Sequence, residues 1–114
     1  MTLSGFSRQD ATDAKTRDFL GVVRKPKPDE RRLVEYLAAK ANLTLDMEAL
    51  VVEDMNDGGM GSLRLYPRPT TSHVRRFGRQ AADCRFLDAD GIDVIASLYL
   101  DSSGEPFELD VWKG

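Results

Sequence analysis

Cysteine, histidine and tryptophan each occur once in this chain of 114 residues. A single Cys84 cannot form an internal disulfide or build a multi-cysteine zinc site. It alternates with Ala82 and Phe86, so it reads as a small buried hydrophobe. Any Ser-His-Asp or Cys-His relay would have to use His73. That residue lies in a loop rich in proline and threonine, and no nucleophile elbow GxSxG occurs. A solvent-facing loop position is expected for it. Histidine-rich metal sites are excluded by number, and no cofactor is expected.

No apolar run approaches the roughly 20 residues that span a bilayer as a helix. The start, MTLSGFSRQDATDAK, lacks the basic head and apolar core of a signal peptide. A cytoplasmic protein without a membrane partner is expected. Acidic side chains are also missing locally: none occurs between Gly58 and Ala82.

What is present describes an ordinary globular domain. Hydrophobic residues make up 41% and charged residues 31%, which allows a real core without staples. The formal charge is -3, so bulk electrostatics favour neither nucleic acid nor anionic lipid. Residues 1–17 are polar with no period and are expected to be a flexible tail. Residues 18–114 are expected to form one domain.

The clearest pattern lies at 82–113. Ile92, Val94, Ala96, Leu98 and Leu100 alternate with Asp93, Ile95, Ser97 and Tyr99, as a strand with one core face requires. The run before it groups Ala82, Cys84 and Phe86. The run after it groups Phe107, Leu109 and Val111. Asp88-Ala89-Asp90-Gly91 and Asp101-Ser102-Ser103-Gly104 supply the turns. The three runs read as an antiparallel meander. Trp112 shares a strand face with Glu108 and Asp110; it reads as a half-buried lid or, in the sharper reading, an exposed partner anchor.

A helix is expected from Asp29 to about Leu43. Asp29 serves as N-cap and Asn42 helps to end it. Leu33, Leu37 and Ala41, widened by Val34 and Ala38, form its core stripe. Phe19, Leu20, Val22 and Val23 form an apolar cluster, read as a short strand or a turn of helix. Further strands are expected at about 49–55 and 62–66, whereas 73–79 has no clear period. The fold class is therefore α+β, one amphipathic helix packed on an antiparallel sheet of about five strands in two layers.

Three features invite a chemical reading. The stretch from Asn56 to Ser62 is glycine-rich, but it lies between strands and no lysine follows, so a hairpin turn outranks a phosphate cradle. The carboxylates at 88–93 and 101–110 lack a calcium-loop spacing. The acid-free segment carries Arg64, Arg68, Arg75, Arg76 and Arg79, with Arg85 just after. Arginine forks bind carboxylate or phosphate. They either pair internally with the acidic turns, or offer a surface to an acidic protein, or, less favoured, meet nucleic acid.

The stretch Val52-Glu53-Asp54-Met55-Asn56-Asp57-Gly58-Gly59-Met60-Gly61-Ser62-Leu63, together with Asp88-Ala89-Asp90-Gly91 and the ending Glu108-Leu109-Asp110-Val111-Trp112-Lys113, resembles a small family of uncharacterised bacterial proteins, a domain of unknown function. The resemblance spans about 29–113. It implies a bacterial, soluble, single-domain protein and lends no activity, cofactor or catalytic residue. The expected function is a non-enzymatic protein-interaction module, accessory or immunity-like, using Arg64, Arg68, Arg75, Arg76, Arg79 and Trp112. A pocket between helix and sheet that binds a small molecule or serves an enzyme is the alternative. The exposed sheet edge also suits pairing with a second copy.

Overall fold

The computed structural model describes residues 23–56, 61–68 and 71–114. The expected tail, the apolar positions 19–22, the centre of the glycine-rich stretch and the loop positions 69–70 lie outside these residues. One helix packs on a six-stranded antiparallel sheet: β1 (Val23–Arg24), α1 (Pro28–Lys40), β2 (Val51–Asp54), β3 (Leu63–Tyr66), β4 (Phe77–Leu87), β5 (Asp93–Asp101) and β6 (Pro106–Lys113). The strands lie in the order β1-β2-β3-β6-β5-β4. The meander is β4-β5-β6, and β3 joins it through β6. The sixth strand is β1, which pairs with β2 at Val23–Glu53 and Arg24–Val52.

The helix begins earlier than Asp29. Lys27 is the N-cap and Pro28 opens the first turn, where its missing N–H costs nothing. Glu30 accepts the Lys27 N–H at 2.7 Å. The helix stops at Lys40, short of Leu43, because Asn42 takes a left-handed φ of 60°. The Leu43 and Asn42 amides then close on the Ala38 and Ala39 carbonyls at 2.8 and 3.0 Å, a Schellman stop.

Val34, Leu37 and Ala38 are the helix's fully buried positions; Leu33 and Ala41 pack partly against the same core. Across from them, register aligns Ala82, Leu98 and Leu109, and next to these Cys84, Ala96 and Val111. Leu50, Val52, Leu63 and Leu65 complete the core from the other half of the sheet. Truncating a fully buried Leu37 or Leu98 to alanine would cost about 2–5 kcal/mol.

Four expected core positions are not in it: Phe86, which is 40% exposed, Leu100, which is buried outside the helix-side cluster, Ile92 and Phe107. Ile92 is 42% exposed, because β5 begins only at Asp93 and Ile92 belongs to the turn. Phe107 is buried but outside the helix-side core. The β5–β6 register slips between Tyr99 and Leu100, so Pro106 faces Leu100 and Phe107 leaves the alternation of Leu109 and Val111. Similar slips at Phe77/Arg79 and Gln80/Ala82 explain why the start of β4 carries no readable period. Gly78 is required there, since a Cβ would sit 2.3 Å from the Asp101 carbonyl oxygen.

Candidate functional site

The five arginines of the acid-free segment have different fates. Arg75 is an interior residue, its side chain 7% exposed. Its Nε donates to Asp101 Oδ2 at 2.9 Å, Nη1 donates to the Leu65 carbonyl at 2.6 Å, and Nη2 donates to the Pro106 carbonyl. Its guanidinium carbon lies 5.1 Å from the Phe107 ring centre and 5.8 Å from that of Tyr66. A buried charge is tolerable when it is paired and well hydrogen-bonded; Arg75 is paired with Asp101, and each of its three guanidinium nitrogens donates a hydrogen bond. Asp101 is equally buried and also accepts the Ser103 and Glu105 amides. Burial pushes its pKa up, but those amides and Arg75 outweigh it and hold the carboxyl below its ordinary value.

Arg64 also lies over the Phe107 ring, its guanidinium carbon 4.5 Å from the ring centre, with Glu108 at 3.9 Å. Burial raises the Glu108 pKa, opposed by Arg64. Arg68 reaches Glu105 at 3.5 Å on the surface. These three arginines thus pair with the acidic meander. Arg76 and Arg79 do not: both are exposed and form no ion pair among the described residues. Beside them Val74 is 91% exposed and Phe77 60%, the latter 5.4 Å from the Tyr99 ring. Val74 and Phe77 carried no sequence signal: Val74 lies in the loop before β4, and the bulge after Phe77 breaks the alternation of the strand.

Trp112 is 54% exposed. Its strand lies inside the sheet, opposite Ile95, and no element among the described residues covers that face. Ile95, Tyr99 and Trp112 point away from α1 by the alternation that sends Val94, Leu98 and Val111 toward it. His73 is exposed, its ring 4.6 Å from that of Tyr66.

The helix-sheet interface is not solid throughout. A cleft of about 740 Å³ opens between Leu33 and Tyr36 of α1 and Cys84, Phe86, Val94 and Val111 of the sheet. Arg32, Asp88 and Lys113 stand among its polar residues. Burial raises the Cys84 pKa, which keeps the thiol protonated. At the other flank Arg24 bridges Glu30 and Asp54, both at 2.8 Å, and ties β1 to α1 and β2.

Among the described residues no group of three or more His, Cys, Asp or Glu side chains is placed to hold a metal ion. No helix there is long and apolar enough to cross a membrane. A family model described as Domain of unknown function (DUF6984) matches residues 23–114. The chain belongs to this family. No curated protein and no solved structure gives a significant match. The DUF6984 match begins where β1 begins and covers both stretches that carry the resemblance, together with every element of the sheet.

Proposed function

We propose that this DUF6984 domain is a non-enzymatic, cytoplasmic protein-interaction module that docks an acidic partner on the start of β4. The observation that carries this reading is the patch at 74–79. Arg76 and Arg79, which form no ion pair among the described residues, lie beside the exposed Phe77 and Val74. Cations around an exposed aromatic suit a partner surface with carboxylates and an apolar anchor. The sheet face that no described element covers extends this surface through Tyr99 toward Trp112. Arg75 takes no direct part; it holds the loop that presents Arg76, and Arg64 and Arg68 sit at the rim.

The test is capture from native lysate with the intact chain and with the double variant Arg76→Glu/Arg79→Glu. A stoichiometric partner retained by the parent and lost with the variant supports the module. Equal capture by both removes the patch. Arg75→Glu is unsuitable as the reversal, because it would place two carboxylates in the interior and unfold the chain.

The cleft beside Cys84 favours a second reading, a small-molecule site. Its volume lies within the roughly 300–1,000 Å³ of ordinary ligand pockets. A thermal-shift screen tests it: a ligand that stabilises the parent but not Val111→Trp, which fills the cleft, would place binding there.

A further inference from the structure

We propose that two copies of this chain pair edge to edge along β4, about a two-fold axis through Cys84. This inference is independent of the acidic-partner reading, since Arg76 and Arg79 lie outside the paired segment.

The sheet order leaves the outer side of β4, an 11-residue strand, without a neighbour among the described residues. Its bulges are confined to 77–82, so the part from Ala82 to Leu87 keeps unbroken register with β5. The hairpin fixes which groups face outward. The Asp88 N–H donates inward to the Ile92 carbonyl at 3.0 Å. Antiparallel ladders alternate hydrogen-bonded and non-bonded pairs. The backbone groups of Asp83, Arg85 and Leu87 therefore point away from β5. Lys40 Nζ already takes the Asp83 carbonyl from that side and would have to leave it.

The side chains select the register. Antiparallel partners must present their side chains on the same face, so the axis must pass through a residue. An axis through Asp83 sets that aspartate against its own copy, and an axis through Arg85 does the same with arginine. Like charges directly opposite destabilise. An axis through Cys84 sets Asp83 against Arg85 of the second copy, twice. Both are exposed, and neither forms an ion pair within the described part of the chain. The outward backbone groups of Asp83 and Arg85 then form the hydrogen-bonded pairs. On the helix face Phe86, 40% exposed, comes to rest on Ala82 of the second copy. So short an edge contact falls in the weak, concentration-dependent class.

Sedimentation equilibrium of the full chain, between about 1 μM and 1 mM, tests this. The parent is expected to dimerise. Asp83→Arg alone and Arg85→Asp alone should each weaken the dimer at least about tenfold, by placing like charges opposite each other at both positions. The double exchange Asp83→Arg/Arg85→Asp should restore it to within about threefold. An equal mixture of the two single variants should form a heterodimer, because each supplies the charge that the other needs. Circular dichroism verifies that every variant is folded. A parent that stays monomeric through the whole range overturns the proposal. So does a dimer indifferent to the single reversals, or one that neither the double exchange nor the mixture restores.

Discussion

In the β4–β5 turn, Asp88 Oδ1 accepts the amides of Asp90 and Ile92 at 2.9 and 3.0 Å. In the β5–β6 turn, Asp101 Oδ1 accepts those of Ser103 and Glu105 at the same two distances. The backbone closes alike too: Gly91 donates to Asp88, and Gly104 to Asp101, both at 2.9 Å. Each glycine has the positive φ that an Asp-x-x-Gly turn requires. One local sequence device therefore makes both turns. Their surroundings differ. Asp88 sits at the rim of the cleft. Asp101 is buried, and its second oxygen receives Arg75. The same four-residue signal thus builds a surface turn in one place and an anchor for a buried arginine in the other.

Removing the two aspartates gives the largest expected contrast. Asp101→Ala leaves the Arg75 guanidinium buried without its counter-charge, a loss of about 3–5 kcal/mol. Asp88→Ala removes the same two amide contacts, where water can replace the carboxylate, and should cost about 0.5–2 kcal/mol, as helix caps do. Urea denaturation of both variants measures the difference. Equal losses would mean that Arg75 finds full solvation without Asp101, and the contrast would collapse.

Acid sharpens the same contrast. The folded-state pKa of Asp101 is lowered, so its contribution is present above the ordinary carboxyl value of about 3.9 and is lost as pH falls through the lower folded value. Asp101→Asn should therefore lag the parent most above about pH 5, and the gap should narrow as pH falls below the ordinary carboxyl value and through the lower folded value of Asp101. Melting temperatures of the two proteins across that window test the sign. A gap that widens toward acid would contradict the assignment of Asp101 as the stabilising anion.

How much of this was legible follows from the range of each interaction. The turns, the helix and the meander depend on neighbours within a few positions, so Asp88, Gly91, Asp101, Gly104, Leu37 and Leu98 announce them directly. The Asn42 stop is local in the same way. The fates of Arg75 and Arg76 are not. They are adjacent and chemically identical, yet one is paired across 26 positions with Asp101 and the other is exposed. Periodicity also fails wherever a bulge breaks it, which hid the first residues of β4 and turned Phe107 from the helix face to the arginines. Of the expected site, internal pairing with the acidic turns accounts for Arg64, Arg68 and Arg75. What distinguishes Arg76, Arg79 and Trp112 is exposure, a property of the assembled sheet that no local pattern encodes.

The smallest expected difference tests whether the two turns are equivalent as backbone. Gly91 has φ 76° and Gly104 has φ 87°, and a Cβ at either would meet nothing within 4 Å. Alanine there is penalised by conformation alone, about 1–2 kcal/mol for a left-handed residue. Gly91→Ala and Gly104→Ala should therefore destabilise equally, within about 0.5 kcal/mol, although only Gly104 adjoins the buried pair. Matched urea midpoints for the two variants would place the whole contrast in the side chain of Asp101 and its arginine. A markedly larger loss at Gly104 would mean that the β5–β6 turn holds Asp101 in place for Arg75, and that turn geometry and ion pair form one cooperative unit.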